Sequence, residues 1–111
     1  MKIEQRELVL LPYPFSDLTL AKVRPAIVVS NDFFNRKSDD GIMVPLTTVI
    51  KDEPYSIVIN QKDMASGKLL KTSRVRADKI FSVMKSKITM RIGKINEDTF
   101  RKIKEEISKI F

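Results

Sequence analysis

The segment KVRPAIVVSN, residues 22–31, places two cations and a proline directly before an apolar run. Residues 26–30 of this run are typical of a buried strand. A guanidinium at the mouth of such a strand, at Arg24, is costly to desolvate unless an anion meets it. The segment therefore predicts a strand of the core with an anion-binding position at its entrance.

Five further short apolar runs lie on both sides of this strand, separated by Pro, Gly, Asp, Asn and Lys clusters. This spacing is typical of a small antiparallel barrel or sandwich. The predicted strands are residues 8–11, 42–47, 56–59, 70–75 and 79–84. Because a proline cannot donate to a central ladder, Pro45 predicts an edge or a bulge in the strand 42–47.

Two helical segments are expected. Residues 30–37 predict one turn, capped by Ser30 or Asn31, with Phe33 and Phe34 partly covering the barrel. From Asn96 the apolar residues recur every three or four positions, which predicts an amphipathic C-terminal helix over about 96–111. Its apolar positions are Phe100, Ile103, Ile107 and Ile110. The predicted class is therefore mainly β with a C-terminal helix.

Length and composition limit the candidates. A chain of 111 residues builds one core, so we expect a single domain over 1–111, with the barrel in about 1–95. No apolar stretch is long enough for a membrane span or a signal peptide, so we expect a cytoplasmic protein. The sequence has neither cysteine nor histidine, which excludes disulfides, thiolate catalysis and the commonest zinc ligands. The carboxylate doublets at 39–40 and 52–53 lack the spacing of a metal site, and we expect no metal or cofactor.

Positive charge is concentrated in one segment. Residues 61–95 hold ten Lys and Arg against two Asp and Glu, whereas residues 1–60 hold seven against eight and residues 96–111 hold four against four. The segment 61–95 thus carries the whole formal excess of +7. It favours a polyanion such as nucleic acid, or an acidic protein partner. A solvated lysine-rich surface is the alternative.

Four stretches together resemble the MazF/PemK toxins of toxin-antitoxin systems, in order and over nearly the full chain. The Arg-Pro at 24–25 and the Val-Pro-x-Thr-Thr at 44–48 are the most specific parts. The stretches are LVLLPYPFSDLTLAKVRPAIVVSN (8–31), MVPLTT (43–48), GKLLKTSRVRADKIFSV (67–83) and IGKINEDTFRKIKEEISKIF (92–111). The resemblance implies a five- to seven-stranded SH3-like barrel of the MazF/Kid/CcdB type with a C-terminal helix. It also implies a homodimer that cleaves single-stranded RNA selectively without metal, and an antitoxin that wraps the dimer.

The chain departs from the family pattern in three respects. Arg6-Glu7 stands where relatives have a glycine and an acidic residue before the first strand. The short SDLTLAK loop has no histidine, so a histidine-assisted step is unavailable. The family divides between a MazF-like site, matched here by Arg24 and Thr47, and a Kid-like site, matched by Arg76 and Asp78; this chain has both.

Metal-free RNA cleavage needs a base for the 2′-hydroxyl and stabilisation of charge on the phosphorane and the leaving oxygen. If Asp78 and Arg76 share a strand face, the carboxylate can accept the 2′-hydroxyl proton while the guanidinium serves the leaving group. Arg24 matches two phosphate oxygens, and Thr47 can donate and accept. An arginine stays protonated near neutral pH, so electrostatic stabilisation is favoured over proton transfer for both arginines. As structural alternatives, Arg24 is a surface arginine, Arg76 and Asp78 form an ion pair, and Thr47 is a β-former at a strand end.

Further RNA contacts are expected from basic, amide and aromatic side chains. An aromatic such as Phe15 in the PYPF loop can stack on a base, or it can cap the barrel. Arg74 is expected on the same strand face as Arg76. The RNA-binding candidates are Phe15, Lys22, Asn31, Lys68, Lys71 and Arg74.

Two other function classes remain open. The same barrel serves CcdB-like toxins that bind DNA gyrase without cutting nucleic acid, and fold alone does not separate the two classes. Arg24 together with Thr47 favours the nuclease. A non-catalytic RNA-binding barrel would keep the basic segment 61–95 without needing Thr47 or Asp78.

Overall fold

A computed structural model describes residues 2–12 and 23–111 of the chain. Eight strands, two helices and two short 3-10 turns make up this part of the chain. The strands are β1 (Glu7–Pro12), β2 (Val23–Val28), β3 (Asp40–Thr47), β4 (Ser56–Ile59), β5 (Met64–Gly67), β6 (Ser73–Arg76), β7 (Phe81–Met84) and β8 (Met90–Ile95). The helices are α1 (Asp32–Lys37) and α2 (Glu97–Ser108), and the 3-10 turns are Gln61–Asp63 and Lys85–Lys87.

The strands form one curled antiparallel sheet. Its order is β4-β6-β3-β2-β1-β8-β5, with β7 pairing the first half of β3. The second half of β3 pairs β6 instead, through Leu46↔Val75 and Thr47↔Arg74. The sheet is thus a half-barrel with a C-terminal helix, which confirms the predicted fold class.

Alternation along the strands sends apolar side chains to both faces of the sheet. One face, with Leu8, Ile27, Val44 and Val75, packs under α2 through Phe100 and Ile103. The other face packs against Ile3, Ile88 and the partly buried side chains of β7. Its core residues on the sheet are Val9, Leu11, Ala26, Val28 and Met43.

Both helices begin where the sequence predicts. The Asn96 side chain accepts from the Thr99 N–H at 2.8 Å, and the Asn31 side chain accepts from the Phe34 N–H at 2.8 Å. These N-caps satisfy donors that lack a partner within the helix. Phe33, however, is 64% exposed and does not cover the barrel as predicted. In the part of the chain that the structure describes, no helix is long and apolar enough to cross a membrane.

Three strand predictions are corrected. Strand β5 reads MASG and β8 reads MRIGKI, so neither has the continuous apolar run that the sequence analysis used. Pro45 does not mark an edge: it pairs with Ala26 of β2 inside the sheet. It is tolerated there because β3 exchanges its partner β7 for β6 between Met43 and Leu46, where no ladder bond requires its missing N–H.

Strands β5 and β8 approach each other most closely where Gly67 pairs with Gly93. Gly67 has a φ of 76°, a backbone conformation that is strained for a residue with a side chain. A Cβ on Gly67 would overlap the Ile92 carbonyl oxygen, and one on Gly93 would overlap the Ser66 carbonyl oxygen. This contact therefore requires glycine on both strands.

Candidate functional site

Thr47 and Arg74 lie in one row across β3 and β6, and the register of β2 directs Arg24 towards the same row. Thr47 pairs with Arg74. Ala26 pairs with Pro45, and the same register continued by two residues places Arg24 opposite Thr47. Directly opposite residues of an antiparallel sheet project from the same face, and each strand spacing is about 4.8 Å. On this register the two MazF-like residues, Arg24 and Thr47, face the same side of the sheet.

Arg76 lies two residues further along β6 and projects from that same face, about 7 Å along the strand from Arg74. Its Nη2 lies 3.3 Å from Oδ2 of Asp78. The two side chains are 31% and 34% exposed, so this pair is open to solvent. Among buried side-chain atoms of the described residues, Arg76 Nε has no hydrogen-bond partner.

Asp78 contacts Arg76 from a different element than the sequence predicts. Strand β6 ends at Arg76, and a turn follows in which the Lys79 N–H donates to the Arg76 carbonyl at 3.1 Å. Asp78 thus lies in a turn and not on a strand. The turn folds its carboxylate back beside the guanidinium, so the pairing was expected but its strand geometry was wrong.

The Thr47 hydroxyl already has one partner. Its Oγ1 accepts from the Val49 N–H at 3.1 Å. A hydroxyl that accepts at its oxygen can still donate its own hydrogen. Thr47 is therefore set up as a hydrogen-bond donor beside Arg24.

Arg74 is not placed as the sequence analysis expected of an RNA contact. Its side chain is only 5% exposed. Its Nε donates to the Val49 carbonyl at 3.1 Å, and its Nη1 lies 3.7 Å from Oε2 of Glu53. Both partners belong to the segment 48–55 between β3 and β4, which covers this guanidinium. In this arrangement Arg74 offers no phosphate contact.

The sequence does not predict this role of Glu53, since the doublet at 52–53 was considered only as a possible metal site. The contact between Glu53 and Arg74 joins positions 21 apart in sequence, and no local sequence pattern indicates it. Ser56 Oγ donates to the Glu53 carbonyl at 2.7 Å, which ties this part of the segment to the start of β4.

The other RNA-binding candidates are dispersed. Lys68 and Lys71 are exposed between β5 and β6. Asn31 is exposed but uses its side-chain oxygen to cap α1. Phe15 and Lys22, like Tyr13, lie outside the residues that the structure describes.

Part of the basic excess is neutralised locally. Four of the ten cations in residues 61–95 pair with carboxylates, since Arg74, Arg76, Arg91 and Lys94 meet Glu53, Asp78, Glu7 and Glu4. Exposed lysines without an ion pair within the described ranges remain at positions 62, 68, 71, 79 and 87. Among residues 2–12 and 23–111, no group of three acidic, cysteine or histidine side chains is placed to hold a metal ion.

Solved structures with the same fold were found at low sequence identity. An endoribonuclease from a mycobacterial species, in complex with its cognate antitoxin, superposes with a TM-score of 0.79 at 21% identity, covering 96% of this chain and 92% of that one. MazF in a MazE-MazF structure from Deinococcus radiodurans gives 0.80 at 17% identity, covering 99% and 96%. The Mycobacterium tuberculosis toxin MazF-mt6 gives 0.76 at 15%, covering 94% of each chain. These likenesses confirm the fold.

The family is shown by the sequence itself. A comparison with curated proteins finds no significant match. Residues 4–111, almost the whole chain, match the family described as the PemK-like, MazF-like toxin of type II toxin-antitoxin systems. The resemblance predicted from the Arg-Pro and Val-Pro-x-Thr-Thr segments is therefore confirmed, and the chain belongs to this toxin family.

Proposed function

We propose that the protein is a toxin endoribonuclease that cleaves single-stranded RNA without a metal ion. The observation that carries the proposal is that Arg76, with Asp78 in the turn beside it, projects from the same sheet face as Thr47. The register of β2 and β3 directs Arg24 towards that face as well. The endoribonuclease activity named for two of the structures with the same fold supports it. Selectivity for particular RNA sequences is proposed from family membership.

In the proposed reaction the RNA supplies its own nucleophile, so no metal-bound water is needed. The 2′-oxygen attacks the adjacent phosphorus, the bond from phosphorus to the 5′-oxygen breaks, and a 2′,3′-cyclic phosphate and a 5′-hydroxyl result. Asp78 accepts the 2′-hydroxyl proton. Its Oδ2 is held by Arg76, which leaves Oδ1 for the proton.

Charge stabilisation comes from the arginines and the threonine. Arg24 binds two phosphate oxygens with its planar fork, and Thr47 donates to the phosphorane. Arg76 stabilises the leaving 5′-oxygen as it takes a proton from solvent. Because both arginines remain charged near neutral pH, they act by electrostatics.

We propose further that the toxin acts in the cytoplasm as a homodimer and is inhibited by an antitoxin with an acidic, partly disordered tail. Two features support a protein interface: Leu70 and Phe111 are about nine-tenths exposed, and Ile110 is also exposed beside Phe111. Apolar side chains this exposed are unfavourable in water unless a partner covers them. The mycobacterial endoribonuclease solved in complex with its cognate antitoxin supports an antitoxin as the second partner.

A single gel assay tests the proposed activity. Single-stranded RNA is incubated with the protein in excess chelator, and the product ends are labelled. We expect cleavage that leaves a cyclic phosphate and a 5′-hydroxyl. A requirement for magnesium, or 5′-phosphate ends, would contradict the mechanism. Binding without cleavage would indicate an RNA-binding barrel. The absence of both binding and cleavage would favour a CcdB-like toxin that binds gyrase.

A further inference from the structure

We propose that Arg74 is a positioning residue that orients the Thr47 hydroxyl by fixing the backbone of Val49. This inference rests on the proposed function, because it assigns a role to Arg74 within that same site. It replaces the expected RNA contact with an indirect role in catalysis.

The backbone of Val49 is held at both of its polar groups, which belong to the two successive peptide units that meet at this residue. Its N–H donates to Thr47 Oγ1 at 3.1 Å, and its carbonyl accepts from Arg74 Nε at 3.1 Å. Thr47 and Arg74 are themselves paired across β3 and β6. The Thr47 hydroxyl, the Val49 backbone and the Arg74 guanidinium therefore close a ring of contacts in which each fixes the next.

Arg74 is buried, unlike the arginines that can contact a phosphate. Its side chain is 5% exposed, against 31% for Arg76 on the same strand face. A buried guanidinium needs acceptors inside the protein, and Arg74 has the Val49 carbonyl and the Glu53 carboxylate. An incoming phosphate would have to displace the segment 48–55 to reach it.

Loss of this guanidinium releases the Val49 carbonyl. The Val49 N–H then no longer holds Thr47 Oγ1, and the hydroxyl rotates among its staggered positions. A small displacement of a catalytic group from its proper position lowers turnover without changing how much RNA binds. The two possible roles of Arg74 therefore differ in which kinetic constant they change.

The test compares Arg74→Met with the wild-type protein in RNA cleavage. We expect kcat to fall about tenfold, with KM within about twofold and an unchanged salt dependence of KM. Lys71→Met, at an exposed predicted phosphate contact, is expected to raise KM and leave kcat alone. Arg36→Met, on the exposed face of α1, is the folding control and should change neither constant.

Amide hydrogen exchange supplies a second reading that does not depend on RNA. In Arg74→Met the Val49 amide should exchange about tenfold faster, since its protection depends on the Thr47 contact. Arg74→Lys, which can still donate to the Val49 carbonyl, should recover part of both kcat and protection. If Arg74→Met does not fold, Arg74→Lys is judged on the same two readings against the wild-type protein.

Three outcomes would overturn the inference. A rise in KM with unchanged kcat in Arg74→Met would identify Arg74 as an RNA contact. Unchanged exchange of the Val49 amide in this variant would show that Arg74 does not act on Thr47 through Val49. If the wild-type protein does not cleave RNA, the proposed function fails and the inference with it. The first two outcomes leave the proposed function standing, so the two failures are distinguishable.

Discussion

Arg76 is the residue at which the two candidate catalytic sets meet. Through β6 it shares a face with the row of Thr47 and Arg24, and through its Nη2 it holds Asp78. Its buried Nε meets no acceptor among residues 2–12 and 23–111, and leaving a buried donor unsatisfied costs about 1–3 kcal/mol. A phosphate oxygen is an acceptor that can satisfy such a donor when the side chain turns towards RNA.

Asp78→Asn removes the proposed base while keeping the shape of the side chain. We expect cleavage to slow at least about tenfold, and by up to the 10²–10⁴ or so that a general base contributes, with RNA binding unchanged. Single-turnover cleavage and a filter-binding measurement check the two parts. Asp39→Asn, an exposed carboxylate outside the site, is the matched control. A near-normal rate would leave Asp78 as the partner of an exposed ion pair and nothing more.

Arg24→Ala and Thr47→Ala remove the proposed phosphate contacts. We expect each to abolish toxicity in cells and to lower cleavage by about 10²-fold or more, because preorganised donors to the phosphorane are lost. Thermal melting should show that both variants stay folded, since neither side chain belongs to the apolar core. Thr48→Ala, the exposed neighbour, should retain toxicity. Toxicity that survives either site variant would count against the MazF-like set.

At the scale of elements, the sequence predicts best what is determined locally. The helix α2 begins at its predicted cap, Asn96, because capping and the 3.6-residue period involve only neighbours in sequence. Strands β5 and β8 were missed because their stability comes from pairing with distant strands. The same reason hid the contact between Glu53 and Arg74, whereas Arg24 and Thr47 became site candidates through the family motifs.

The helix α2 should contribute much of the stability of the half-barrel. Ile103 is fully buried in the core cluster between this helix and the sheet. Ile103→Ala should therefore lower the free energy of unfolding by about 2–5 kcal/mol, through lost burial and the cavity left behind. Urea denaturation measures the change, with Lys102→Ala on the exposed side of α2 as the control. A loss below about 0.5 kcal/mol for Ile103→Ala would show that the helix packs loosely.

At the scale of the whole molecule, charge and exposed apolar surface point to two kinds of partner. The exposed lysines at 62, 68, 71, 79 and 87, which form no ion pair with the residues that the structure describes, leave a positive field that suits RNA or an acidic tail. Leu70 and Phe111 suit a protein surface. In a two-fold dimer the basic segment occurs twice, so one assembly can offer RNA and inhibitor the same field.

We expect sedimentation to show a homodimer at micromolar concentration. We also expect an acidic inhibitor peptide to compete with RNA, and this competition to weaken as salt rises, because both ligands depend on the same charges. Titration of labelled RNA with the peptide at two salt concentrations measures both effects. A monomer in solution, or RNA and inhibitor bound together with all sites filled, would contradict this arrangement.

The close approach of Gly67 and Gly93 also affects how such a toxin can be lost by mutation. Every missense change in a glycine codon introduces a side chain, and at these two positions any side chain meets backbone of the facing strand. A lineage that gains from silencing the toxin therefore has, besides the site residues, two codons at which nearly every amino-acid change damages the sheet. Inactive copies that arise in this way keep the proposed catalytic residues Arg24, Thr47, Arg76 and Asp78, so the presence of these four residues in a gene does not by itself establish a working toxin.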